Sequence, residues 1–360
     1  MCAICHALDG DDGARPRPQA FDHGLSEAQI AAARHFLRRH PTVDIHAHPG
    51  RFFMQDGAAR SAFEARYAPP FAERAIGEMT EGGISAVLFA TVADHVLLGM
   101  GAGGLGAQRE FDAGEAIADH ARQIGVLEGL IGHRALTPGR EAREIRLAHA
   151  ERQVACVFSV EGGDFVEDRI ERIGEAHARG VRAITIIHYH VNQIGDTQTE
   201  SPVHGGLTPL GADIVREMDR AGILVDLAHA SFAASAAAAE ISTRPMMISH
   251  SNVAAPGIDH PRLISLDHAR LVTRGGGIVG AVPAGFAQAR FGDYIDTILR
   301  MADQLGVDHV AIGTDMDFTF RPVFTRYGDW PLIPAALLAR GMHESEVARI
   351  MGGNFMRILP

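Results

Sequence analysis

Eight short apolar segments recur between residues 42 and 315, and longer helical or polar stretches separate them. Continuous apolar runs bounded by Gly, Pro and polar residues are typical of strands buried on both faces, as parallel strands are. Strand and helix alternating eight times favour a closed barrel over an open doubly wound sheet. The sequence therefore predicts an α/β fold, a (β/α)8 TIM barrel. The predicted strands are residues 42–48, 84–92, 154–161, 181–188, 222–229, 245–250, 276–282 and 309–315.

The length of 360 residues suits one such barrel with insertions. We expect residues 1–40 to form an N-terminal extension that ends in a helix with Ser26 as its N-cap. We expect residues 41–360 to form a single barrel domain. Residues 49–83 and 94–153 are longer than a minimal crossover needs, and we expect them to carry lid elements over one rim of the barrel.

Composition excludes several classes of protein. The net charge of −11 and the absence of Lys/Arg runs argue against nucleic-acid binding. The sequence contains no stretch of 18 uninterrupted apolar residues, so it predicts no membrane span. It also contains no basic segment followed by an apolar one, so it predicts no secretory signal. Three cysteines make no disulfide framework, whereas 20 histidines raise the expectation of metal binding. The composition predicts a soluble cytoplasmic protein.

Six of the eight predicted strands end in a residue that could bind metal or transfer protons. The C-terminal ends of barrel strands form one rim, and that rim carries the active site. The second strand, which ends at Asp94, and the seventh, which ends at Val282, offer no comparably clear candidate. The pattern indicates a metal-dependent hydrolase. The candidates are His46 and His48, Glu161, His188, His229, His250 and Asp315.

The spacing of these residues favours two metal sites. His46 and His48 lie two apart on a strand, so both point to one face and could reach one zinc ion. Glu161 could bridge two cations about 3.5–4 Å apart, as in two-metal hydrolases. His229 and His250 end successive strands about 4.8 Å apart and could bind a second ion. Read singly, the His pair could instead be one exposed and one core histidine, and Glu161 a helix cap.

Asp315 ends the last strand, which adjoins the first strand when a barrel closes. Its carboxylate should then lie beside His46 and His48, where it could pass protons to and from a reacting water molecule.

Several ordered motifs resemble the renal (membrane) dipeptidase family, peptidase family M19 of the amidohydrolase superfamily. The resemblance extends from about residue 42 to residue 359. Its most specific segments are Gly206-Leu207-Thr208-Pro209-Leu210-Gly211, Leu224-Val225-Asp226-Leu227-Ala228-His229, Ser249-His250-Ser251-Asn252, His260-Pro261-Arg262, Gly313-Thr314-Asp315-Met316-Asp317 and Gly352-Gly353-Asn354-Phe355-Met356-Arg357-Ile358-Leu359.

The resemblance implies a binuclear hydrolase with two zinc ions per chain and a hydroxide held between them, which cleaves dipeptides or N-acyl amino acids. It implies that Glu161 bridges the ions and that His229 and His250 bind the second one. His188 would stabilise the oxyanion and contact the substrate, Arg262 would bind the substrate carboxylate, and Asp315 would carry the proton. The family also suggests a homodimer.

Three departures from the family pattern leave the substrate open. The first strand reads His46-Ala47-His48 where the family usually has His-x-Asp, and Phe318 follows Asp317 where the family usually has Gly. The spacing from His250 to Arg262 is about one residue longer than in the animal enzymes. Another amide, an ester or a lactone is therefore an alternative substrate, and a non-catalytic metal-bound barrel is a further alternative.

Four other features have mostly simpler interpretations. Cys2-Ala3-Ile4-Cys5-His6 spells a haem-attachment motif, but no export signal precedes it. The glycine-rich segment 99–104 is interpreted as a flexible loop because it does not directly follow its strand. Cys156 is out of phase with Glu161 and should pack toward the helices. His190 could be a substrate contact or merely exposed.

Overall fold

The computed structural model describes residues 23–54, 70–101, 104–132 and 136–360. The haem-like motif at residues 2–6 and most of the predicted N-terminal extension lie outside these residues. The strands are β1 Val43–Ala47, β2 Ala86–Val92, β3 Leu98–Gly101, β4 Gly104–Ala107, β5 Leu136–Pro138, β6 Val154–Glu161, β7 Val181–Thr185, β8 Leu224–Asp226, β9 Met247–Ile248, β10 Ile278–Ala281 and β11 Val310–Ile312.

Helices fill most of the intervals between the strands, and short 3-10 turns occur beside them. The helices are α1 Glu27–Arg39, α2 Ala72–Gly82, α3 Glu115–Leu130, α4 Ala142–Glu151, α5 Arg172–Ala178, α6 Pro209–Ala221, α7 Phe232–Ile241, α8 Leu266–Arg274, α9 Phe291–Leu305, α10 Leu332–Ala339, α11 Glu344–Ala348 and α12 Asn354–Ile358.

Eight strands form one nearly closed parallel barrel, and they are the eight that the sequence predicts. Their order is β1-β2-β6-β7-β8-β9-β10-β11, and every pairing between neighbours is parallel. The last strand returns to the first through a parallel bridge between Ala47 and Met316. The backbone N–H of Asp315 donates to the carbonyl of His46 at 2.8 Å, and that of His48 to Met316 at 3.0 Å. The predicted barrel fold is confirmed.

The two faces of β6 bury different parts of the core. Ala155 and Val157 join an apolar cluster with strand residues such as Ile45. Cys156, which is also buried, belongs to a second cluster that includes Ile173 of α5. Alternate residues of a strand point to opposite faces, so Cys156 and Glu161 lie on opposite sides of the sheet, as the sequence predicts.

The helix starts follow local capping chemistry. The Ser26 hydroxyl accepts from the backbone N–H of Gln29, whose side chain accepts in return from the Ser26 backbone. Thr208 and Ser231 cap α6 and α7 without such a return bond, because each side chain accepts one backbone N–H of its helix. Side-chain caps satisfy N–H groups that the first helical turn leaves without partners. The predicted N-cap at Ser26 is therefore present.

One interpretation is wrong. The segment 99–104, interpreted as a flexible loop, belongs over its described residues to the antiparallel pair β3–β4. The side chain of Gln108 donates to the carbonyls of Gly99 and Gly106 and so ties the two strands together. The short strand β5, which pairs with β6, was also not predicted. Among the described residues, no helix combines the length and apolar character needed to cross a membrane.

Candidate metal centre

Two clusters of potential metal ligands lie side by side at the C-terminal rim of the barrel, and they share one carboxylate. His46 and His48 form the first cluster with Glu161, and His229 and His250 form the second with the same Glu161. Within each cluster the ligand atoms lie within 4.8 Å of one another, and all five side chains are buried. The structure thus brings together all five residues that the sequence singles out as metal ligands.

Five imidazoles surround the Glu161 carboxylate. Burial would raise the pKa of Glu161, but the imidazoles, His188 and His46 foremost, hold that pKa well below its usual value. The carboxyl group therefore stays ionised in the interior. The Nε2 atoms of His229, His46 and His250 lie 3.2, 3.4 and 3.4 Å from Oε1, and those of His48 and His188 both lie 3.3 Å from Oε2.

The hydrogen bonds of His48 indicate that a positive charge must lie between its ring and the neighbouring carboxylates. Its Nδ1 lies 2.8 Å from the carbonyl of Ala90, which can only accept, so Nδ1 carries a proton and Nε2 faces the carboxylates. In the second cluster, the Nε2 atoms of His229 and His250 face each other at 3.0 Å. The buried Nε2 of His46 has no hydrogen-bond partner in the described chain. Converging ring nitrogens around one carboxylate fit divalent cations such as zinc.

Protons on the imidazole rings are one source of positive charge at this centre. Burial lowers the pKa of His48, but hydrogen bonds to Asp315 and Glu161 outweigh burial and raise it to about 10. Burial likewise lowers the pKa of His229 and His250, and here it dominates, so both pKa values fall well below the usual value. Neutral imidazole is the form that binds a metal ion.

The backbone conformation is uncommon at two residues of the rim. His229 has φ 65° and Asp315 has φ 52°, so both adopt the left-handed conformation that is uncommon outside glycine. Such conformations persist where the surrounding structure enforces them, and they concentrate at functional sites.

Asp315 occupies the open side of the centre. Its Oδ1 lies 3.3 Å from Nε2 of His48, and its side chain is 19% exposed. The ligand side chains are at most 3% exposed. Of the carboxylates at this centre, Asp315 is therefore the one that solvent or a bound molecule can reach, as a proton carrier must be.

Arg262 is buried in the loop that follows β9. Its Nη1 lacks a hydrogen-bond partner among the described residues. After burial, its positive charge is the largest cause of the lowered pKa of His229, so the guanidinium acts electrostatically on the second cluster. The loop is held by the Ser251 hydroxyl, which donates to the Arg262 carbonyl at 3.1 Å, and by the Gln198 amide, which donates to Pro261. A buried donor without a partner suits an anionic ligand.

Asp94 is a site residue that the sequence interpretation missed. Its Oδ1 lies 2.6 Å from Nδ1 of His188, and its Oδ2 accepts from the backbone N–H of Tyr189. Burial lowers the pKa of His188, but Asp94 and then Glu161 outweigh burial and raise it. His188 can therefore hold protons on both nitrogens and donate through Nε2. The position of Asp94 at a strand end was the available signal.

Two further residues have clear positions. His190, which the sequence leaves as either a substrate contact or exposed, is largely buried, and its Nε2 lies 2.8 Å from Oδ1 of Asp164. Phe318, one of the departures from the family pattern, packs edge-on against His48 with ring centroids 5.4 Å apart. Phe53 does the same at 5.6 Å. The departures at His48 and Phe318 are therefore in contact.

The family model for membrane dipeptidase, peptidase family M19, matches residues 30–360. The chain belongs to this family. Membership accounts for the barrel and for the groups of potential metal ligands at its rim.

Curated proteins named dipeptidase resemble this chain over part of their length. A dipeptidase of Claviceps purpurea, tcpJ, is 35% identical over 193 residues, which cover 51% of this chain and 45% of the relative. The dipeptidase verJ of Clonostachys rogersoniana is 28% identical over 254 residues, which cover 68% and 65%. This chain thus spans about half to two thirds of the length of these relatives.

Solved structures of a probable dipeptidase and of a metallopeptidase share the fold. The probable dipeptidase PvdM from Pseudomonas aeruginosa superposes with a TM-score of 0.76 at 18% identity, covering 92% of this chain and 98% of that chain. A metallopeptidase from Rhodobacter sphaeroides, solved with a phosphinate mimic of the dipeptide L-Ala-D-Ala, gives 0.71 at 21% identity, covering 89% and 98%.

Proposed function

We propose that this M19 protein is a binuclear zinc dipeptidase, which hydrolyses dipeptides or N-acyl amino acids with a free carboxylate. The observation that carries the proposal is the Glu161 carboxylate, shared between two pairs of buried histidines. The relatives named dipeptidase and the structure with a dipeptide mimic support the choice of substrate class.

Two divalent cations would be held by His46 and His48 on one side and by His229 and His250 on the other, with Glu161 between them. When bound, such ions polarise a carbonyl and lower the pKa of water. The protein's contribution is to hold five ligands on strand ends, where the barrel fixes their positions.

Asp315 would move the proton. Its carboxylate is exposed enough to reach a reacting water and lies against His48. It would accept the proton from the attacking water and deliver it to the leaving amine. His188, whose protonation Asp94 favours, would donate Nε2–H to the oxyanion of the tetrahedral adduct.

Arg262 would fix the substrate's free carboxylate. A guanidinium binds a carboxylate through two parallel hydrogen bonds, and Nη1 of Arg262 is available for one of them. Such a contact restricts the site to small substrates with a free C-terminus. The predicted homodimer and cytoplasmic location remain proposals based on the family and on composition.

A second candidate is hydrolysis of another amide, an ester or a lactone. The observation that favours it is His48, because an imidazole in place of a carboxylate leaves one negative charge fewer beside the ions. An assay with L,L- and L,D-dipeptides, acyl amino acids, esters and lactones, run with and without chelator, separates these functions. Chelator-sensitive hydrolysis of dipeptides or acyl amino acids, without hydrolysis of esters or lactones, supports our proposal, and hydrolysis of esters or lactones alone contradicts it.

A further inference from the structure

One buried hydroxyl connects the two clusters of ligands. The Oγ atom of Ser249 lies 2.9 Å from Nδ1 of His250 and 3.3 Å from Nδ1 of His46. These histidines belong to different clusters, and their rings lie tilted at 32° to each other with centroids 4.0 Å apart. The same oxygen lies 2.6 Å from Oδ2 of Asp226. Ser249 is completely buried, so no water competes for these contacts.

The direction of each hydrogen bond follows from the groups around Asp226. Its Oδ1 accepts from the backbone N–H groups of Ala228 at 3.0 Å and Ser249 at 2.9 Å. Its Oδ2 accepts from the hydroxyl of Thr185 at 2.6 Å, as well as from that of Ser249. A carboxylate only accepts, so the single hydroxyl proton of Ser249 points at Asp226.

The serine oxygen then has two lone pairs left, and each faces a ring nitrogen. Because the Ser249 oxygen can only accept hydrogen bonds from the two rings, Nδ1 of His46 and Nδ1 of His250 both carry protons. A neutral imidazole with its proton on Nδ1 has its free lone pair on Nε2. In both rings Nε2 is the atom that faces Glu161, at 3.4 Å.

We propose that Asp226 and Ser249 act as one positioning pair, which sets the tautomer of one metal ligand in each cluster and so couples the two sites. This inference rests on the metal binding proposed above. Hydrogen bonds of this kind to the far nitrogen of a ligating histidine orient the ring, and their loss typically costs about 10–100-fold in metal affinity.

Two substitutions have different expected effects. Ser249→Ala removes the shared acceptor and should weaken both sites. Asp226→Asn keeps the shape, but the two backbone N–H groups will hold the amide oxygen, so the NH2 group faces the Ser249 hydroxyl. The hydroxyl must then donate to one ring, and that ring is left with its proton on Nε2. Asp226→Asn should therefore weaken mainly one site.

The test is a zinc titration of each metal-free, full-length variant against a competing chromophoric chelator. We expect roughly a 10–100-fold loss of affinity at both sites in Ser249→Ala and at one site in Asp226→Asn. Ser159→Ala is the matched control, because that buried hydroxyl lies two residues before Glu161 and has no hydrogen-bond partner in the described chain. It should bind zinc as the unmodified protein does.

The outcomes separate the two proposals. If the unmodified protein binds no zinc, the metal centre itself is wrong. If it binds two ions and both variants match the Ser159→Ala control, the metal centre stands and the positioning pair is wrong. Thermal denaturation identifies a variant that fails to fold. In that case the zinc affinities of the other variant test the positioning pair. In Asp226→Asn the Ser249 hydroxyl is expected to donate to one ring only, and equal weakening of both sites in that variant would contradict this expectation.

Discussion

The imidazole of His48 is held by neighbouring residues that pack against its ring and orient it. An imidazole is larger than the carboxylate usual in the family, and two phenylalanine rings pack edge-on against it. The Ala90 carbonyl fixes its orientation through Nδ1. Because Phe318 contributes one of those rings, the two departures from the family pattern support each other. The sequence revealed both departures, but only the fold reveals their contact across 270 residues of chain.

At the residue scale, Asp315→Asn should retain the metals and the fold but lower turnover by at least about a hundredfold, because general acid–base groups typically contribute 10²–10⁴-fold. Steady-state kinetics on a cleaved dipeptide, with metal analysis of the same preparation, measure this. Near-normal turnover at neutral pH would show that Asp315 is not the proton carrier.

Arg262→Met tests the carboxylate contact. Loss of a charge-assisted bidentate contact should cost about 1.5–3 kcal/mol, which is roughly ten- to a hundredfold in kcat/KM on a dipeptide. On the same dipeptide amidated at its C-terminus the substitution should have little effect, because the contact is already absent. Equal losses on both substrates would mean that Arg262 holds its loop instead.

The candidate ligands could be predicted because each ends an apolar strand, a pattern that is local in sequence. The residues that orient them could not. Asp94 and His188 are 94 positions apart, and Ser249 and His46 are 203 apart. Which polar side chain meets which ring depends on the twist and register of the assembled barrel, and no local pattern records these.

At the element scale, the barrel strands were predictable because burial on both faces requires continuous apolar residues. The pair β3–β4 escaped prediction because glycines make up much of both strands, and glycine gives no alternation of apolar and polar residues. Hydrogen bonds from the Gln108 side chain to Gly99 and Gly106 add to the antiparallel backbone pairing of the two strands.

Gly280 in β10 tests how tightly the strand ends are packed behind the metal centre. A Cβ atom there would lie 1.9 Å from the carbonyl oxygen of Ser249, so Gly280→Ala must push the strands apart. Overpacking of this kind typically costs about 1–3 kcal/mol. We expect a lower Tm in a thermal melt and weaker zinc binding.

Gly174→Ala, in α5, is the control for Gly280→Ala. A Cβ atom there would meet no atom within 4 Å. Alanine in a helix is favoured over glycine by roughly 0.5–1 kcal/mol, so the control should be as stable as the unmodified protein or slightly more so. A Tm for Gly280→Ala equal to that of the control would contradict the close packing.

At the scale of the whole molecule, the metal centre joins strands from every part of the barrel, including the first and the last. Ligand binding to the folded state alone stabilises it, by about 2.7 kcal/mol when free ligand is a hundredfold above Kd. Stripping the protein with chelator should therefore lower its Tm, and adding zinc back should restore it. An unchanged melting curve would indicate that no metal ion is bound to the folded protein.

The central claim is that two ions share Glu161, and the ratio of metal to protein tests it most directly. Elemental analysis of protein purified without chelator should give a ratio near two, and dipeptide hydrolysis should depend on both equivalents. His229→Ala should lower the ratio and abolish activity, because it removes a ligand of the second cluster. A ratio that stays at one in metal-supplemented protein would contradict the binuclear mechanism.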